Sequence, residues 1–193
     1  MELLPSADTL RLLIHLPFAP YAGFIATTCD DEKLMTEFLR QSRYLPFVLA
    51  YLAVDVVLVA FAARSASYKA SMLLHHALLA SATAYVHLCA PQLLAAYGHA
   101  SLCEISVVLL DVRELLRRFG ADSGAQNLNS AMVFLAHVYT RLVVHPWLTY
   151  DVVPRAAQSD TERAAVTAGM AALIALNVYW AWGMAAHVGR IRW

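Results

Sequence analysis

The twenty residues SMLLHHALLASATAYVHLCA, positions 71–90, decide how the whole chain is read. A helix of that length crosses a hydrocarbon core of about 30 Å. The stretch is apolar apart from two serines, Thr83 and the three histidines His75, His76 and His87. Two of those histidines are adjacent, and an imidazole has little to offer as packing against lipid. Residues 45–63, 98–116, 129–148 and 164–188 have the same length and apolar character, with Glu104 and Asp111 interrupting the 98–116 stretch. An earlier segment, 10–28, holds Arg11, His15, Pro17 and Pro20, so it reads either as a kinked span or as an interfacial helix.

The composition agrees with this pattern. Of 193 residues, 60% are hydrophobic and 15% charged, where an ordinary soluble domain carries about 25% charged residues. Mean hydropathy is +0.55. The expected fold is therefore all-α: a polytopic integral membrane helical bundle of about six transmembrane helices, five of which meet the length standard outright. An N-terminal segment, 1–39, would precede a transmembrane domain, 40–193. The polar stretches CDDEKLMTEFLRQSR (29–43), RRFGADSGAQN (117–127) and TYDVVPRAAQSDTER (149–163) read as the longer loops.

Net charge is zero, which excludes the basic footprint of a nucleic-acid binder. Cys29, Cys89 and Cys103 show no CxxC spacing, so neither a disulfide framework nor a structural zinc site is expected. The start, MELLPSADTL, resembles neither a secretory signal nor a transit peptide. Six spans place Arg64, Lys69, Arg113, Arg117, Arg118, Arg190 and Arg192 on one side and Lys33, Arg40, Arg43, Arg155 and Arg163 on the other. The first group marks the side expected to face cytosol or matrix.

Ionisable groups near mid-membrane each cost about 2.5–3.5 kcal/mol on insertion scales, so every one calls for a partner. The candidates are Asp55, His75, His76, Glu104, Asp111, His137, Arg141 and Asn177. Glu104 and Asp111, seven apart, share a helix face, as do His137 and Arg141, four apart. These groups either fasten helices to one another or line a polar cavity that receives a lipid headgroup. The cluster Arg113, Arg117 and Arg118 reads as an anchor for anionic headgroups. Adjacent histidines point about 100° apart on a helix, which is poor spacing for one metal ion, and no metal or other cofactor is expected. They can act in different roles, one facing a cavity as base or nucleophile while a carboxylate holds the other in a fixed tautomer. Asp55, Glu104 and Asp111 are the candidate holders.

Five motifs, in order, resemble the TLC-domain family, the membrane domain of ceramide synthases and smaller relatives. AYLAVDVVLV, with Asp55, is similar to the family's GYFIYD span, and MLLHHALLASATAY to its paired-histidine span. LCEISVVLLDVRELL resembles the TELSTPFVNLRWFL pattern of the small non-synthase branch through Glu104, Ser106 and Arg113. NSAMVFLAHVYTRLVVHPWL matches that branch at Asn129, Arg141 and Pro146, and LNVYWAWGM at Asn177, Tyr179, Trp180 and Met184. For the synthases the resemblance implies acyl transfer from acyl-CoA to a sphingoid amine, with the histidine pair and paired aspartates on a later helix. Here the first aspartate falls near Glu104 and the second on Val107. The small branch is associated with membrane lipid composition.

The resemblance thus implies an integral membrane protein that binds membrane lipids and influences lipid composition, without catalysing a reaction. The alternatives are an accessory subunit contacting other membrane subunits, or an acyltransferase using His75 or His76. The organelle is open: the endoplasmic reticulum follows from the resemblance, and the mitochondrial inner membrane is compatible.

Overall fold

A computed structural model describes residues 31–41, 44–62 and 65–188. The ambiguous segment 10–28, and Arg43, Arg64, Arg190 and Arg192 of the charge count, lie outside the described residues. Among those described there is no strand, so the chain is all-α. It divides into two compact units at the Gly98–His99 junction.

The first unit contains α1 (Glu32–Gln41), α2 (Tyr44–Ala62) and α3 (Ala66–Leu88), followed by a 3-10 turn, Pro91–Leu93, and the start of α4 (Leu94–Ala100). α2 is apolar all round and lies along α3. It buries the stripe Val48, Leu52, Asp55 and Val59, spaced four, three and four as one helix face requires. α3 starts at Ser65, whose Oγ accepts the Tyr68 N–H. It buries Ser71, His75, His76 and Thr83 while leaving Leu74, Tyr85 and Leu88 exposed. Polar groups inside and large apolar groups outside is the inverse of a soluble helix. Lipid is the solvent that makes this arrangement favourable.

The polar stretch 29–43, expected as a loop, carries α1 instead. Met35 and Leu39, four apart, are buried from that helix. Gly98 faces Met35 so closely that a Cβ there would overlap its thioether.

The second unit contains a 3-10 turn, Ser101–Cys103, then α5 (Glu104–Arg118) and α6 (Ser123–His137), which lie along each other as a hairpin. Their loop is short because α5 ends in a Schellman turn. Gly120 adopts φ +67°, its N–H donates to the Arg117 carbonyl (3.3 Å), and the Ala121 N–H to that of Leu116 (2.9 Å). Asp122 then caps α6 by accepting the Ala125 N–H at 2.9 Å. Most of the expected loop 117–127 is therefore helix.

α6 runs on without a loop through a π-helical segment, Val138–Val144, the short α7 (His145–Trp147), a second π segment, Leu148–Val152, and α8 (Val153–Ala156). The expected loop 149–163 shrinks to three residues, 157–159. Asp151 accounts for part of this by accepting the Trp147 indole N–H (3.2 Å) and pairing with Arg155 one turn on. Ser159 Oγ accepts the Glu162 N–H (3.1 Å) and so opens α9, Asp160–Val188.

By length and composition, two helical stretches among the described residues can each cross a bilayer, Pro91–Arg118 and Asp160–Ala186. α3 is of comparable length at 23 residues, but its histidines and serines dilute its apolar character.

The close approach at Gly98 generates a prediction. Gly98→Leu should overpack the Met35 contact and destabilise the protein by about 1–3 kcal/mol, read as a lower unfolding midpoint in detergent micelles. Met35→Ala in the same chain should recover part of that loss.

Candidate functional site

The buried polar side chains gather in two clusters, one in each unit. In the first, Asp55 of α2 and His76 of α3 meet with Oδ2 and Nε2 2.9 Å apart, their side chains 2% and 3% exposed. The other ring nitrogen, Nδ1, lies 2.8 Å from the Met72 carbonyl of the same helix. A carbonyl only accepts, so Nδ1 carries a proton. One further proton then sits between Nε2 and the carboxylate. Written as imidazolium and carboxylate, or as imidazole and carboxylic acid, the pair has no net charge. Neither ring nitrogen of His76 presents a lone pair to anything else. Of the three candidate holders, Asp55 is the one that binds the pair.

His75, also buried, sets its ring edge-on to that of His76, centroids 5.6 Å apart. Further along α3, Thr83 Oγ donates to the Leu79 carbonyl (2.7 Å) and so accepts from the Tyr97 hydroxyl (2.7 Å). The His87 Nδ1–H donates to the Thr83 carbonyl at 2.9 Å. Among the described residues, no group of three or more His, Cys, Asp or Glu side chains converges to hold a metal ion.

The second cluster is built on a stripe that repeats every four residues: His137, Arg141, His145 and Thr149, all buried. On a regular α-helix each residue turns about 100°, so steps of four drift by about 40° and three steps by about 120°. The stripe would wander around the helix. The two π segments counter this, because an i→i+5 turn holds more residues and rotates less per residue. The opposite face records the same change: Leu135, Tyr139, Val143 and Trp147 are exposed at steps of four. Pro146, which lacks an N–H for the α ladder, lies between the π segments.

Asn177 of α9 reaches this stripe and is the hub. Its Oδ1 accepts from Arg141 Nη1 (3.3 Å), and its Nδ2 donates to His145 Nδ1 (3.3 Å). Its carbonyl accepts from His137 Nε2–H at 3.1 Å. His145 Nε2–H donates to the Ala100 carbonyl (3.2 Å), so with Nδ1 accepting, this ring is the neutral Nε2–H tautomer. Arg141 Nη2 donates to the Cys103 carbonyl (3.4 Å), while its Nε is buried without a partner. Both Arg141 bonds are longer than usual charge-assisted ones. Among the described residues no carboxylate lies within ion-pair distance of the guanidinium. Glu104, buried nearby in sequence from Cys103, instead accepts from that residue's thiol at 3.4 Å.

The remaining candidates separate. Asp111 is half-buried on α5. Arg117 and Arg118 both bind Glu114, Arg117 bidentately at 3.0 and 2.7 Å and Arg118 at 2.6 Å. Arg113 lines a cavity of about 220 Å³ with Leu110, Val133, Trp180, Gly183 and Met184, drawn from α5, α6 and α9. His145 was not among the sequence candidates. Its signal was the four-residue spacing from His137 and Arg141, hidden at the end of an apolar run beside a proline.

Two predictions follow from these clusters. Asp55→Ala strands the His76 imidazole and should destabilise the fold by about 3–5 kcal/mol, whereas Asp55→Leu with His76→Leu should recover most of it. Unfolding titrations of Asp55→Leu, His76→Leu and the double variant give the coupling directly. At the hub, Asn177→Ala should cost about 1–3 kcal/mol, since it unpairs Arg141 Nη1 and the His145 Nδ1 acceptor. Asn177→Asp, which keeps an acceptor beside Arg141, should be the milder change in the same assay.

The sequence profile of the TLC domain matches residues 10–186. No curated protein and no solved structure matches the chain significantly. The matched span takes in the Asp55–His76 pair, the polar stripe and its Asn177 hub, and the Arg113 cavity. The chain belongs to the TLC-domain family.

Proposed function

We propose that this TLC-domain membrane protein binds membrane lipid and influences lipid composition without catalysing a reaction on it. The observation that carries the reading is the closed Asp55–His76 pair. A general base or acyl acceptor must present a nitrogen lone pair to its substrate, and both nitrogens of His76 are engaged. Val107 stands where the synthases carry their second aspartate, so the carboxylate that would act there with the histidines is missing. An acyltransferase reading has to rest on His75.

The test is enzymatic and compositional together. Purified protein offered a panel of acyl-CoAs with sphingoid and other amine acceptors should give no turnover above that of a His75→Ala variant. Membranes of cells producing the protein should show an altered lipid profile by mass spectrometry, and His75→Ala should preserve that alteration. Acyl-CoA-dependent product that disappears with His75→Ala overturns the reading and establishes the acyltransferase.

A further inference from the structure

The cavity between α5, α6 and α9 has two levels. Leu110 lies one turn before Arg113 on α5, about 4.5 Å along the axis. On α6, which starts from the same loop, Ser130 borders the cavity and Val133 lies one turn beyond it. His137 meets Asn177, while Ser130 shares the cavity with Gly183 and Met184. Position falls along α6 as it rises along α9, so these two helices run antiparallel. Leu110, Val133 and Trp180 therefore form the inner level. Arg113, Ser130, Gly183 and Met184 form the outer one, nearer the α5–α6 loop.

The outer level sits just inside a membrane–water interface. Glu114, Arg117 and Arg118 form a paired charged cluster at the end of α5, within about 8 Å of Arg113 along the axis. Such a cluster belongs outside hydrocarbon. The inner level, about 4.5 Å deeper, then lies at the depth of the upper part of the acyl chains, in the outer half of a leaflet about 15 Å thick. The cavity opens sideways there, since Leu110 is 45% exposed and Gly183 is also exposed. What meets an opening at that depth is a lipid chain.

The lining is suited to such a guest. Ser130 gives its hydroxyl proton to the Gln126 carbonyl (2.8 Å), and Arg113 and Trp180 each have a partner within the protein already. Leu110, Val133, Met184 and the bare Gly183 supply the rest, so a ligand that asks for no hydrogen bond fits best. The volume is about 220 Å³, and an apolar cavity of about 150 Å³ already takes a benzene. There is room for a short run of methylenes and not for a whole lipid. A void leaves its lining without contact atoms on one side, and a chain segment restores them.

We propose that this cavity holds the upper segment of one acyl chain of a membrane lipid against Leu110, Val133 and Trp180, without regard to the headgroup above it. The site rests on the lipid-binding reading above and specifies which part of the lipid is gripped and where.

The full chain carrying Trp147→Phe, Trp182→Phe and Trp193→Phe, which leaves Trp180 as its tryptophan, is reconstituted in vesicles of phosphatidylcholine brominated at carbons 6 and 7 or at carbons 11 and 12. Bromine quenches an indole on contact, and Trp180 emission should fall further with bromine at carbons 6 and 7. A Cβ added at Gly183 meets nothing within 4 Å, and leucine suits a helix better than glycine. Gly183→Leu should therefore fill the cavity and remove most of that quenching, whereas Gly183→Ala should keep most of it. Brominated phosphatidylglycerol diluted into unlabelled phosphatidylcholine should quench as strongly as brominated phosphatidylcholine at the same dilution. If the triple replacement does not fold, the difference in quenching between wild type and Trp180→Phe isolates the same ring. Stronger quenching from carbons 11 and 12, quenching that survives Gly183→Leu, or a difference between the two headgroups overturns the site while leaving lipid binding standing. A folded chain quenched from neither position overturns both.

Discussion

The single proton held between Asp55 and His76 is the constraint on which the first unit turns. An aspartate or an imidazolium alone in hydrocarbon is costly, and the two together are uncharged whichever partner owns the proton. The contact fixes the facing sides of α2 and α3, since Asp55 occupies the middle of the only stripe α2 buries. It also fixes the His76 rotamer through the Met72 carbonyl. The same contact sets the functional reading, because a histidine so completely engaged is a fastening.

The second unit meets the same requirement differently. There, one neutral side-chain amide serves an arginine and a histidine, and the backbone carbonyl of the same residue serves a second histidine. An asparagine suits the hub because it carries acceptor and donor on one rigid plane. Arg141 enforces the amide orientation, since only Oδ1 can receive its N–H, and that orientation aims Nδ2 at His145. The Ala100 carbonyl and the amide that Arg141 orients thus hold His145 in one tautomer from its two sides.

Much of the architecture was legible because lipid imposes a simple rule: long apolar runs form helices, and polar residues within them seek one another. The eight interior polar residues read from the sequence are buried in the structure, apart from the half-buried Asp111. What the sequence concealed was pairing. α2 is equally apolar on every side, so nothing in its pattern said that Asp55 would face His76. A change of hydrogen-bond register from i→i+4 to i→i+5 leaves no mark in composition, and without it the alignment of His145 with Arg141 could not be read. The loops are shorter than polarity alone implies, because polar residues also occur within helices. In α1 and around Asp151 those residues cap, pair along the helix, or cover its exposed side.

The π segments also bear on how this chain can vary over time. A loop such as 157–159 can gain or lose a residue with little consequence for the helices it joins. The stretch 138–152 has no such slack, even though it is irregular. Deleting one residue there without a compensating change of hydrogen-bond register rotates everything downstream by about 100° and draws it back by about 1.5 Å. His145 and Thr149 would leave the face that meets Asn177. In this part of the molecule the count of residues is itself a structural property, so length should be preserved here more strictly than the identity of most side chains.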